Sequence, residues 1–143
     1  MTVAENVAIE TGYPRSALGT ISWKKVRKAA GDALAIMGSD LDPNERISAL
    51  PAAERSLVAI GRALAVESDI LVLDEPTAAL PEADVERLLE TLRRLRARGI
   101  GIIYVTHRLD EVFRIADRIT VLRDGRRVAT VAAGETTLGA LVE

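Results

Sequence analysis

An α/β domain with a parallel pair of strands, a helical first half and a closing β-hairpin is the architecture these 143 residues predict. Three observations carry it. Two short continuous apolar runs, Ile70 to Leu73 and Ile102 to Val105, read as strands; an amphipathic stripe lies between them; and Asp124-Gly125 separates two further strand-like segments. The texture changes near residue 68, so residues 1–66 are expected to form a helical subdomain and residues 67–143 the strand-bearing part.

In chain order, Trp23, Val26, Ala30, Ala33, Leu34 and Met37 recur at helical spacing, with Ser22 as a cap and Gly38 as a stop. Leu18 to Ile21 and Ser39 to Asn44 read as loops. A second helix is expected from about Pro51 to Val66, its proline at a tolerated first-turn position and Leu57, Ile60 and Leu64 on one face. The runs at 70–73 and 102–105 are expected to be buried on both faces, as continuous apolar strands of a parallel sheet are. Between them Val85, Leu88, Leu89, Leu92 and Leu95 form a helical stripe; Glu82 and Asp84 suit its positive end, Arg93, Arg94, Arg96 and Arg98 its negative end, and Gly99 stops it. Strand, helix, strand of this length is a parallel crossover unit. A short helix over Leu109 to Ile115 follows, then strands Ile119 to Leu122 and Arg127 to Val131 around the Asp124-Gly125 turn. A last helix over Thr136 to Val142 would be capped by Thr136 or Thr137.

Composition narrows the function. Nineteen basic against twenty-one acidic residues give a net charge of −2, and aromatics are 3%, which disfavours phosphate-tracking or base-stacking nucleic-acid binding. With no cysteine and one histidine, thiolate metal sites and multi-imidazole sites are excluded. No run approaches the ~18 apolar residues of a membrane span. Met1 to Glu10, with Glu5 and Glu10, does not resemble a secretion signal, so a cytoplasmic address is expected. The Lys24-Lys25-Arg27-Lys28 cluster reads as a solvated helix face, and Trp23 as packing.

The chemistry-bearing segment is Leu73-Asp74-Glu75-Pro76-Thr77. Ligands of open parallel sheets sit beyond the carboxyl ends of the strands. Two adjacent acids there can divide tasks: Asp74 can hold magnesium through water, while Glu75, directed otherwise, orients or deprotonates an attacking water. On these residues alone the acids could equally face solvent. His107 closes the next strand, on the same rim, where an imidazole could grip a γ-phosphate or position water.

Leu73-Asp74-Glu75-Pro76-Thr77-Ala78-Ala79-Leu80 resembles the Walker B motif and D-loop of ABC-transporter ATPases, and Val105-Thr106-His107-Arg108-Leu109-Asp110-Glu111-Val112 resembles their switch-histidine segment. Ala116 to Arg126 is similar to the strand and hairpin that follow, and Met1 to Val7 to the opening of their helical subdomain. The wording is nearest to the double-cassette ATPases of ribose- and galactoside-type sugar importers. The resemblance implies a P-loop NTPase-like fold, truncated, and a site using ATP and magnesium. It assigns Asp74 to the metal, Glu75 and His107 to catalysis, and Ala78, Ala79 and Leu80 to the D-loop. It also implies a second cassette and transmembrane permease subunits as partners, and a place at the cytoplasmic face of the inner membrane. An ATPase head of a non-transport machine, or a non-catalytic module pairing with a complete cassette, are the alternatives.

Two departures stand out. The signature loop, commonly Leu-Ser-Gly-Gly-Gln, falls on Leu50-Pro51-Ala52-Ala53-Glu54, where proline offers no amide to a phosphate; Pro81 stands where many relatives have aspartate. The three lysines, Lys24, Lys25 and Lys28, do not directly follow a glycine, so the sequence contains no P-loop. The expectation is a carboxyl-terminal part of a cassette that neither binds ATP tightly nor hydrolyses it alone. Its unpaired strand edges should then re-pair or drive self-association.

Overall fold

The computed structural model describes residues 1–17, 19–66 and 68–142. Leu18, which opens the first predicted loop, and Glu67 and Glu143, the ends of the expected second part, lie outside the described residues.

Helix α1, Val3–Thr11, has no counterpart among the elements expected from periodicity. Its start is nevertheless written in the sequence as a capping box: Thr2 Oγ1 accepts from the Glu5 amide and Glu5 Oε2 from the Thr2 amide. Two more first-turn amides, of Val3 and Ala4, donate to the carbonyls of Glu45 and Pro43, which ties this helix start to residues 43–45. Helix α2, Trp23–Ile36, packs on α1. Ser22 holds the expected cap position but makes no side-chain cap bond. Gly38, at φ 71°, ends the helix in a Schellman motif, its amide donating to Ala35 O and that of Ser39 to Leu34 O. Trp23 departs from its expected place in the buried stripe: it is 43% exposed and rests edge-on against Tyr13, 6.0 Å between ring centroids. After a 3₁₀ turn at Ile47–Ala49, helix α3 spans Ala52–Leu64, with Pro51 just outside it as the N-cap rather than inside its first turn. Leu57, Ile60 and Leu64 are buried as expected, with Val58 beside them.

Strand β1, Ile70–Asp74, helix α4, Glu82–Ala97, and strand β2, Gly101–Val105, form the predicted parallel unit, in register Ile70 with Gly101 through Asp74 with Val105. Val85, Leu88, Leu89, Leu92 and Leu95 are buried, and Gly99 (φ 91°) closes α4 with a second Schellman motif. The strands themselves correct an expectation. Leu71 is buried and Leu73, Ile102 and Tyr104 pack against the core, but Ile70, Val72, Ile103 and Val105 are 62, 61, 53 and 47% exposed. Side chains alternate across a strand, and the helices cover one face of this two-stranded sheet only. Helix α5, Leu109–Ile115, follows β2.

Strands β3, Arg118–Arg123, and β4, Arg126–Ala132, pair antiparallel around Asp124-Gly125, whose φ values of 51° and 72° are those of a type I′ turn, with a bulge between Val121 and Leu122. Among the described residues the hairpin forms a sheet of its own, so β2 and β3 do not re-pair. A short helix α6, Leu138–Val142, ends the chain; Thr137 is the capping residue of the two expected, its Oγ1 accepting from the Ala140 amide.

Candidate functional site

The carboxyl ends of β1 and β2 lie side by side, and the parallel ladder runs one step past them: the Glu75 amide donates to Val105 O at 2.8 Å. Glu75 then leaves the strand at φ 44°, a left-handed conformation that costs a non-glycine residue about 1–2 kcal/mol. The change of direction from Asp74 thus comes from this backbone turn, not from strand alternation. A turn follows, closed by Ala78 N–H to Glu75 O (3.1 Å) and Leu80 N–H to Thr77 O (3.0 Å).

Across the gap, His107 Nδ1 lies 3.0 Å from Glu75 Oε1. An ionised carboxylate only accepts, so the contact places the imidazole proton on Nδ1 and leaves Nε2, on a side chain 71% exposed, for an outside partner. Asp74 is exposed at the same rim. Of the three residues singled out in the sequence, Glu75 and His107 meet, and Asp74 stands at the same strand end.

The expected signature positions, Leu50 to Glu54, differ in exposure and surroundings. Leu50 and Ala53 are core residues, Pro51 is exposed, and Glu54 lines a cleft with Arg87 and Arg94 on the far side of α3. Ala52 instead shares a second cleft, of about 390 Å³, with Ser56, Glu75, Ala78, Ala79 and Leu80. Ala78, Ala79 and Leu80, expected as a D-loop, and Ala52, of the expected signature loop, thus open onto the same space as Glu75. No side chain caps α3, so the amides of Ala52, Ala53 and Glu54 remain the first-turn donors that Pro51 cannot supply.

Beneath the rim lies a cluster to which the sequence assigned nothing. Glu111 of α5 is fully buried. Its Oε2 accepts from Thr77 Oγ1 at 2.7 Å and from the Tyr104 hydroxyl at 2.6 Å. Arg108 Nη1 sits 2.9 Å from Oε1 as an ion pair without hydrogen-bond alignment. Burial, and then the bond to Glu111, push the Tyr104 phenol well above its ordinary range, so Tyr104 is a donor. Arg108 also reaches Glu82 at 3.1 Å, and Arg114 reaches Glu82 at 3.1 Å and Glu86 as well. Arg114 first, and Arg108 second, hold the Glu82 carboxyl below its usual value. The sequence offered one signal: Tyr104 falls on the inward side of the β2 alternation with a hydroxyl that needs a partner. Glu111, in the first turn of a short helix, reads as a dipole complement.

As for the metal, the donor set decides. Among the described residues no cluster of three ligating side chains exists, but Asp74 offers the single hard carboxylate that a phosphate-bound magnesium ion takes from protein. The residues fit an ion carried in with a nucleotide.

No family model matches the chain. It is 48% identical over 133 residues to the "Ribose import ATP-binding protein RbsA 2" of Rubrobacter xylanophilus, which covers 93% of this chain and 26% of that protein. It is 44% identical over 142 residues to the "Ribose import ATP-binding protein RbsA" of Chelativorans sp., covering 99% of this chain and 27% of the other. Among solved structures it superposes on cbiO1 from Clostridium perfringens, part of the ABC transporter complex cbiONQ, with a TM-score of 0.79 and 26% identity, over 99% of this chain and 55% of that one. A bacterial ABC transporter cassette solved as a dimer gives a TM-score of 0.72 and 28% identity, over 93% and 57%. The chain thus spans about a quarter of the length of the curated relatives and just over half of a single cassette. In sequence and in fold, this chain is a homologue of one segment of the ABC-transporter ATP-binding proteins.

Proposed function

We propose that the chain supplies the hydrolysis side of an ATP site in the ATP-binding subunit of a carbohydrate ABC importer. The observation that carries this reading is the 3.0 Å contact between Glu75 and His107, with Asp74 on the same rim. Asp74 would hold a nucleotide-borne magnesium ion, which supplies charge stabilisation at the phosphates when bound. Glu75 is placed to orient and polarise water, and His107, as the imidazolium whose two ring nitrogens both donate, to give Nδ1–H to Glu75 and Nε2–H to a phosphate oxygen. Residues 1–66 would act as the helical subdomain that presents Leu50 to Glu54 to a second cassette, with Ala78 to Leu80 as the D-loop between the two. The curated relatives are about twice as long as a single cassette, which supports a pair of cassettes as the working unit. The cassettes would meet permease subunits at the cytoplasmic membrane surface; among the described residues no helix is long and apolar enough to cross a membrane.

The test is a graft. The matching 133 residues, 48% identical, replace their counterpart in the Rubrobacter xylanophilus relative, and magnesium-dependent ATP hydrolysis is measured. The graft should hydrolyse ATP, and Glu75→Gln should lower kcat about a hundredfold or more. A folded graft without hydrolysis defeats the catalytic reading and leaves the second one, a non-catalytic module paired with a complete cassette. Pro51 favours that second reading, because it removes one amide from the signature position.

A further inference from the structure

We infer that Glu111 is a positioning residue that sets the hydrogen bond between Glu75 and His107 by clamping the turn after β1 onto the segment that ends β2. The inference rests on the proposed roles of Glu75 and His107 and adds the part that holds them. Glu75 sits in a left-handed conformation and needs restraint from both sides to stay there. On the upstream side the restraint is its own amide, bonded to Val105 O. Downstream it is Thr77, two residues on and 1% exposed, whose hydroxyl donates to Glu111 Oε2. The same oxygen takes the Tyr104 hydroxyl from β2, three residues before His107. The other oxygen faces Arg108, which directly follows His107 and whose amide donates to Thr106 Oγ1 at 3.0 Å. One carboxylate thus gathers a group from each wall of the site.

The chemistry demands a carboxylate. Oε2 receives two hydroxyl donors at 2.6 and 2.7 Å, distances typical of bonds to an ionised acceptor, and Oε1 meets a guanidinium. A glutamine would keep one acceptor but turn an NH₂ either on Arg108 or on the two hydroxyls, donor against donor. An aspartate is one methylene short of reaching both walls.

The chain's single histidine makes the test direct. Long-range proton–nitrogen NMR of the 143-residue chain at about pH 8, where an ordinary imidazole is neutral, reads the His107 tautomer without nucleotide. The wild type should show predominantly the Nδ1–H form, and Glu75→Ala should give the reference for a released ring. Glu111→Gln should move the tautomer ratio at least about twofold toward that reference although Glu75 is intact, with the β3–β4 amide pattern unchanged. Thr77→Val and Tyr104→Phe each remove one donor and leave the ion pair, and should shift the ratio the same way by less; they decide the matter if Glu111→Gln does not fold. Folded Thr77→Val and Tyr104→Phe proteins with the wild-type ratio overturn the inference. A wild type without the Nδ1–H bias overturns the Glu75–His107 contact itself, whereas a normal tautomer response beside an inactive graft leaves the clamp standing and removes only the hydrolytic role.

Discussion

In residues 1–66 the helices turn an apolar stripe inward: Val3, Val7, Val26, Leu34, Met37 and Val58 are buried where α1, α2 and α3 pack on one another, while Ile9, Ile21, Trp23 and Val66 stay exposed. In residues 68–142 helix α4 does the same, but the strands keep Ile70, Val72, Ile103 and Val105 on an open face. The difference lies in the kind of surface each element presents. A helix buries one stripe, so three helices can satisfy one another. A parallel sheet has two apolar faces and two edges, and α4 and its neighbours cover one face alone. Each fully buried valine or isoleucine is worth roughly 1.5–3 kcal/mol, and these four realise about half of it. The first region packs its helical stripes on one another, while the second leaves a whole sheet face uncovered.

The largest effect should come from the side that is already packed. Leu89→Ala in α4 and Leu34→Ala in α2, at positions almost fully shielded from water, should each lower unfolding free energy by about 2–5 kcal/mol in urea titrations. Val72→Thr and Ile103→Thr on the open face should each cost under about 1 kcal/mol. Equal losses at both kinds of site would mean that the open face is covered in solution.

What the sequence revealed follows the same divide. Features set by a few neighbouring residues were legible: the stops at Gly38 and Gly99, the Asp124-Gly125 turn, the α4 stripe and the convergence of Glu75 with His107 at adjacent strand ends. Helix α1 was legible in principle, since Thr2 and Glu5 spell its capping box and Val3, Ala4, Val7 and Ala8 recur at helical spacing, but over two turns only, too short a stretch to stand out by period. The exposure of Val72 and Ile103 was not legible, because a continuous apolar run records the faces a strand can bury, not whether a cover is present. Nor was Glu111: its partner Thr77 lies 34 residues away, and no local pattern distinguishes a buried carboxylate from one that favours a helix start.

The open face also bears on association. Val72 and Ile103 are register partners on adjacent strands, so they form a contiguous apolar patch beside the free edge of β2. Self-association through this patch is expected in sedimentation runs near 0.1 mM. Val72→Glu combined with Ile103→Lys, an opposite-charge pair across the strands, should weaken it at least about tenfold while leaving the fold intact. A monomeric wild type at that concentration would show that edge and face stay apart without a cover.

Both regions end a helix with the same device, which permits a finer comparison. Gly38→Ala and Gly99→Ala each force a left-handed φ on a residue with a Cβ, for about 1 kcal/mol. At Gly99 nothing lies near the added carbon, whereas at Gly38 it lands on Arg94 Nη1, the group that donates to Met37 O at 3.2 Å. Gly38→Ala should therefore cost about 1 kcal/mol more, the worth of that bond. An Arg94→Ala background should remove the excess. Equal costs in wild type would show that Arg94 moves aside without loss, and that α4 is not fastened to the end of α2 by this contact.

The smallest effect concerns the ion pairs that join α4 to α5. Glu82 is held below its ordinary value of 4.5 by Arg114 and Arg108, so it loses its proton more readily folded than unfolded. Its stabilising contribution is then full above the unfolded value and fades as pH falls through the lower, folded one. Glu82 is exposed and screened by salt, so the expected signature is a change of slope rather than a collapse. Melting temperature should decline between about pH 5 and pH 3, less steeply in Glu82→Gln than in wild type and less steeply in high salt. A pH response that survives Glu82→Gln unchanged would show that the pairs of Glu82 with Arg114 and Arg108 do not carry it, and that α4 and α5 are fastened by other contacts.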